Sequence, residues 1–552
     1  MNFVKKMVPT WIVLGLGLMV CSTGLCQAGQ TVWSTPIEGK ITMCKIVDSS
    51  IIVRSTETDL SGMDLRTGEI LWTLAGVSCR GEGQFGLVPG TSYAIATDGV
   101  VEEQRDDRSR ALVKKVHDRL VALDYRQGVE LWNTDGLNMF SVVGYFPLHH
   151  LGSVMVCGRD ELFNYRMAAV DLATGELIWE NPNFFTERNA VVFHDPTADW
   201  TLDGNQLPVL DTDTTMITML NNVALRKWNA TTGELIWETE LGTRKAPTLR
   251  DGYPLMMLSD DRSVVYVPAE ENMFAIDTRD GSMVWPEKAD LRGRVQQMEL
   301  LPRGLLLKGG PNSEGKGGKP FVTLIDPQTG LELWEKPFTR IRGFKVSPAL
   351  VEEDTLYIWS DKKLYAVSLA DGSYEERGTE LKCEGGDNSF SLTRRNGDFL
   401  LLSEQNVMGV GSDGFQTFHT HLKEPGTSFF VKAAAFTATV AINTFSAMYV
   451  QVPIYTTTNY MYYVYPTMNL MRFPQYGNST DAGDYMYMLT NLEVKDADGK
   501  QKGPGLAKVD KNTGEIVAKI VLGDKTPMYS IDDTESLVVY VDDETTVVCA
   551  EL

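Results

Sequence analysis

An all-β fold assembled from repeats is predicted for this 552-residue chain by three observations. The first is a phrase, Ala169-Val-Asp-Leu-Ala-Thr-Gly-Glu-Leu-Ile-Trp179, in which two short apolar runs flank a turn. Gly175 supplies the positive φ of a tight hairpin, while Asp171 and Thr174 offer side-chain oxygens to the turn backbone. Second, the phrase returns at Met63 to Trp72, Ala122 to Trp132, Thr232 to Trp237, Ala275 to Trp285 and Leu324 to Trp334. Weaker copies follow at Ala366 to Tyr374, Val407 to Phe418 and Ala507 to Ile516. The gaps between the Trp residues that end these copies are 60, 47, 58, 48 and 49, and a period near fifty with β-type patterning marks a radial or stacked array. Third, strand-like runs such as Val264-Val-Tyr-Val267, Leu356-Tyr-Ile358 and Phe399-Leu-Leu-Leu402 keep returning, with no long amphipathic helix among them.

The N-terminus reads as an export signal. Lys5 and Lys6 form its basic region, Trp11 to Val20 its apolar region, and Cys26-Gln-Ala28 a small-residue cleavage site. The apolar run is too short to stay across a bilayer. A rival lipoprotein signal puts a lipid anchor on Cys21, but Met19 and Val20 stand where small residues are expected. The chain thus divides into a signal over residues 1–28 and one repeat array over 29–552. Within the array, the charged run from Val101 to Lys115 reads as a long hairpin loop, and the polar stretch from Asp195 to Asp213 as a second surface excursion.

Composition narrows the partners. Without residues 1–28, 49 basic residues face 73 acidic ones, a net charge of −24. A field of that sign repels nucleic acid and anionic lipid surfaces and favours solubility. Five cysteines remain: Cys44, Cys79, Cys157, Cys383 and Cys549. An odd count leaves at least one thiol out of any disulfide set, and the wide scatter suits small buried hydrophobes. Cys44 and Cys549 would approach each other in a ring that joins the chain ends. No Cys-x-x-Cys-His is present, which excludes covalent c-type haem.

The Ala-x-Asp-x-x-Thr-Gly-x-x-x-Trp phrase resembles the repeat of pyrroloquinoline-quinone-type β-propellers, strongly over residues 30 to 415 and more loosely over 485 to 552. That family includes quinoprotein dehydrogenases and the propeller lipoprotein of the bacterial β-barrel assembly machinery. The resemblance implies four-stranded antiparallel blades, eight by the family norm, although the repeat units found here allow nine or ten. It also implies that Trp72, Trp132, Trp179, Trp237, Trp285 and Trp334 dock between neighbouring blades. Leu537-Val-Val-Tyr540 and Thr546-Val-Val-Cys549 read as inner strands lacking an outer partner. Residues near Thr31-Val-Trp33 would supply it and close the ring.

One region departs from the pattern. From Ala433 to Met471 there are 39 positions without a charge, and Tyr455, Tyr460, Tyr462, Tyr463 and Tyr465 crowd the second half. Thr437, Thr439, Asn443, Thr444, Ser446 and Gln451 argue against a transmembrane helix there. Two readings of the insertion around 425–480 stay open: buried strands with an ordinary loop, or a Tyr-rich surface that meets a partner.

The chemistry signals are sparse. A quinoprotein dehydrogenase of the resembled family needs a quinone in the central channel, a Ca²⁺ on carboxylate and amide oxygens, an Asp base and a vicinal Cys-Cys disulfide. This sequence has no Cys-Cys pair. Gly310 to Gly317 has phosphate-loop spacing, but Gly317 replaces the hydroxyl residue that would hold Mg²⁺. His149-His150 and His419-x-His421 lack a third ligand of clear spacing. No catalytic residue, cofactor or metal is assigned. The expectation is a non-catalytic exported propeller that binds an envelope protein, with a role in outer-membrane protein assembly implied by the resemblance alone. Two alternatives remain: a dehydrogenase using pyrroloquinoline quinone and Ca²⁺ at an atypical site, and a secreted carbohydrate- or surface-binding propeller.

Overall fold

A computed structural model describes residues 27–77, 85–105, 112–181, 209–242, 256–310, 318–425 and 475–552, except 89, 138, 140, 161–164, 221–223, 270, 343–345, 387–390, 477–478 and 497–498. Among these residues there is no α-helix, only short 3-10 turns such as His149–Leu151. The strands group into ten sheets. The eight blades implied by the family norm are therefore corrected to ten. The weak copies of the phrase, at Ala366, Val407 and Ala507, each belong to a full sheet although they have lost the Trp.

Each blade is a meander in which consecutive strands pair antiparallel. The third is typical: Ser141–Leu148, Ser153–Arg159, Tyr165–Asp171 and Leu177–Asn181. Middle strands are almost wholly apolar because they are covered on both faces, as in Gly304–Gly310 and Phe321–Ile325. Fourth strands lie at the rim and expose one apolar pair before the Trp: Ile70 and Leu71, Leu177 and Ile178, Leu235 and Ile236. A register shift beside the Trp recurs there, for example between Ala169 and Val170.

The tenth sheet joins the two ends of the described chain. Gln30–Pro36 pairs antiparallel with Thr546–Glu551, which continues through Leu537–Asp542 to Tyr529–Asp532. Ten hydrophobic cores follow, each shared by two consecutive blades. One holds Phe146, Met155 and Trp179 against Met216 and Trp228. Another sets Val539, Val547 and Cys549 of the last blade against Ile41, Cys44 and Met63 of the first. The packing succession returns to its start.

An antiparallel meander sorts its connections by face. Links from first to second strand and from third to fourth emerge on one side, and all others on the opposite side. On the first side the first-to-second links never exceed five residues, as at 48–49, 302–303 and 353–354. On the other side the chain leaves and re-enters around 182–208, 243–255 and 426–474. Two long hairpins rise from that side as well. In the second blade, Tyr93–Arg105 and Leu112–Asp124 run on as a two-stranded ribbon beyond Ala96 and Val121, where the outer strands stop pairing. In the ninth, Tyr485–Asp496 and Gly499–Asp510 do the same beyond Gly505. The charged run expected as a loop from Val101 to Lys115 is thus mostly strand, with Glu102 in register opposite Lys115 and Glu103 opposite Lys114.

Candidate functional site

The repeated phrase builds a joint between blades, and its residues divide the work. Asp171 Oδ1 accepts the N–H groups of Ala173 and Thr174 at 2.9 and 2.8 Å. Its backbone carbonyl accepts from Gly175 N and its own N–H donates to Glu176 O. This closes an Asx-type turn with Gly175 at φ +71°. The turn offers two things to the preceding blade: an outward carbonyl at Leu172 and a bare glycine face.

The Trp of the preceding blade takes both. Trp132 Nε1 donates to Leu172 O at 2.8 Å, and a Cβ on Gly175 would lie 2.5 Å from the Trp132 ring. The same pair of contacts recurs around the molecule. Trp179 donates to Ala230 O and lies on Gly233, Trp237 donates to Thr278 O and lies on Gly281, Trp285 donates to Pro327 O and lies on Gly330, and Trp334 donates to Leu369 O and lies on Gly372. Trp72 is sandwiched between Gly62 of its own blade and Gly128 of the next. A buried indole keeps its N–H satisfied only with such an acceptor.

Residues 164–396 match the model of a pyrroloquinoline-quinone-type repeat family, described as outer membrane protein assembly factor BamB. Over those residues the chain is similar to this propeller repeat. Among solved structures it is similar to BamB from Moraxella catarrhalis, with 15% identity, 70% of this chain and 98% of that one covered, and a TM-score of 0.35. It is also similar to the quinohemoprotein alcohol dehydrogenase of Comamonas testosteroni, with 14% identity, coverage of 76% and 82%, and a TM-score of 0.31. A third is Sqt1 of Saccharomyces cerevisiae, with 9% identity, coverage of 71% and 100%, and a TM-score of 0.33. No curated protein sequence matches.

Several parts of the propeller joint were not foreseen. Trp33, on the strand that joins the chain ends, donates to Leu65 O at 3.0 Å and lies on Gly68, so the last blade meets the first as the others meet. Two residues beyond the aromatic, a second donor reaches the glycine carbonyl: Thr35 to Gly68, Asn181 to Gly233, Thr239 to Gly281 and Thr420 to Gly514. In the eighth blade Phe418 replaces the indole on Gly514. In the seventh, Arg377 Nη1 donates to Ser412 O at 3.3 Å, the position an indole would address. Polar or charged residues two after a Trp were a readable signal; Arg377 in place of Trp was not.

Charges inside the propeller are tied into the same framework. Lys227 Nζ donates to Asp211 Oδ2 at 2.5 Å and to Thr278 O, the carbonyl that also receives Trp237. Arg119 binds Asp98, Asp135 and Gly76 O at the root of the second-blade ribbon. Arg166 binds Asp160 and Glu180 in the third blade. Lys308 is buried with its ammonium on Ser347 O at 2.6 Å, and burial pushes its pKa down to about 7.

The other expected features are placed as follows. His419 Nε2 meets Asn406 Oδ1 at 2.8 Å, and burial lowers its pKa. His421 faces Glu384 at 3.3 Å. His150 Nε2 meets Asp213 O, with the His149 ring 5.8 Å away. Cys44 and Cys549 share one core and no disulfide joins them; burial pushes the Cys549 thiol up to about 12. Residues 311–317 of the phosphate-loop-like stretch, and Tyr455, Tyr460, Tyr462, Tyr463 and Tyr465, lie outside the described residues. Among the described residues no three His, Cys, Asp or Glu side chains converge. No helix among them is long and apolar enough to cross a membrane.

Proposed function

We propose that this chain is an exported, non-catalytic propeller scaffold that holds an envelope protein partner on its ribbon-bearing face. The observation that carries this reading is the sorting of its connections. One face bears short turns, while two ribbons protrude from the other. Edge-exposed two-stranded ribbons are costly to leave solvated unless something uses them. The match of residues 164–396 to a family described as an outer-membrane assembly factor supports outer-membrane protein assembly as the finer proposal. The signal-like residues before Gly29 support export.

The test is site-specific photo-crosslinking in envelope extracts. Probes at Glu103 and Glu493 sit on the ribbons, and probes at Ala173 and Gln127 sit on the short-turn face. The expected result is a discrete adduct from the ribbon positions and none from the turn positions. Equal labelling from both faces would sink the reading. Saturable, Ca²⁺-dependent quenching of Trp fluorescence by pyrroloquinoline quinone would instead favour a dehydrogenase.

A further inference from the structure

The fourth strand of the ninth blade, Ile516–Val521, has a neighbour on its outer side. Gln27–Ala28 pairs with it in parallel, Gln27 opposite Ala518 and Ala28 opposite Lys519. Gly29 N donates to Lys519 O at 2.9 Å. From Gln30 onward the chain belongs to the tenth blade, with Gln30 opposite Glu551 and Thr31 opposite Ala550. The Ala28–Gly29 bond therefore stands where the chain steps from one blade to the next, and it is fastened on both sides.

That bond is also the one the sequence marks for cutting, after Cys26-Gln-Ala28. Peptide hydrolysis ends with a proton delivered to the departing nitrogen, which here is Gly29 N. In the folded chain this nitrogen turns its N–H into the ninth blade, onto Lys519 O. A peptidase that grips its substrate as an added strand also needs free backbone around the bond, and Gln27, Ala28, Gln30 and Thr31 are already paired. Cutting is then confined to moments when the pairing opens, at a rate set by the population of the open form.

We propose that the fold shields its own processing site: the Ala28–Gly29 bond is a peptidase substrate only while it is unpaired from Ile516–Val521. A chain that folds uncut keeps residues 1–28 and their apolar run. The proposal rests on the export reading above.

The test is cleavage by a serine endopeptidase that cuts after alanine, with the new N-terminus at Gly29 counted by intact mass. Three substrates are compared: the folded full-length chain in detergent micelles, its Lys519→Pro variant, and a free peptide of residues 24–36. Lys519 O points to Gly29, so the Lys519 N–H faces the same way. Proline there disturbs the added pairing and spares the ladder to Gly499–Asp510. The folded chain should be cut at Ala28–Gly29 at least a hundredfold more slowly than the peptide, and Lys519→Pro at least tenfold faster than the wild type with an unchanged Tm. Equal rates for folded chain and peptide would overturn the shielding, whatever the variant does. A folded variant as resistant as the wild type would overturn the part assigned to Lys519. The N-terminus of the exported protein keeps the two readings apart. A start other than Gly29 counts against the expected processing point, and the folded-chain assay still decides whether the bond is shielded.

Discussion

Trp179 and Gly233 belong to different repeats, and their contact is where one blade recognises the next. A Cβ on Gly233 would lie 2.4 Å from the Trp179 ring, at a φ of +71° that side chains rarely adopt. Gly233→Ala should cost about 1–2 kcal/mol for the backbone alone, and more through the displaced ring. Trp179→Ala should cost about 3–5 kcal/mol. In a double-mutant cycle by urea denaturation the two losses should be far from additive, since the steric part of the glycine substitution vanishes with the ring. The turns also set an acid limit. The Thr67 backbone N–H holds the Asp64 carboxyl below its usual range, the Arg279 side chain does so for Asp277, and the Ser259 hydroxyl pulls Asp261 down to about 2. Groups depressed in the folded state stabilise it fully above their unfolded pKa, near 4, and that stability drains as pH falls towards 2. Urea midpoints should hold from pH 7 to about 5 and drop between about 4 and 2. Much of this was legible, because Asp, Gly and Trp recur in a fixed phrase. The partner of each Gly was not, since the contact crosses from one repeat to the next and sequence order alone names no neighbour.

The long hairpins are elements whose length exceeds what their blade uses. In the second blade, first and fourth strands pair no further than Ala96 and Val121, and Arg119 with Asp98 ties off the root. Replacing residues 99–118 with a two-residue turn should therefore shift Tm by no more than about 2 °C, a change of about 2 kcal/mol for a chain this large, while abolishing ribbon-dependent crosslinks. A fall of ten degrees or more would show that the ribbon is part of the blade. Its sequence misled because charge on both sides of a strand reads as loop. The register sets acid opposite base along the ribbon, Glu102 facing Lys115 and Glu103 facing Lys114.

Ten blades close on a strand borrowed from the other end of the chain. Deleting Gln30–Pro36 would leave the last sheet with three strands and remove Trp33 from Leu65 and Gly68. The expected outcome is a marked drop in Tm with concentration-dependent aggregation through the open edge, partly reversed by adding a peptide of residues 30–36. Unchanged melting would mean that the joint contributes nothing. The joining of the ends could be read from unpaired strand patterns at each terminus. The blade number could not, because the seventh to ninth units had exchanged Trp for Arg377, Phe418 and a bare rim, and the family norm of eight outweighed the units themselves.

The joint at the tenth blade also imposes an order in time. The first strand of the array must wait, unpaired, until residues more than 500 positions later exist, because its partner is Thr546–Glu551. A chain cut short during synthesis would hold many well-packed blades and still lack its fastening. The fold therefore certifies its own progress, and only a copy that reaches Glu551 can lock.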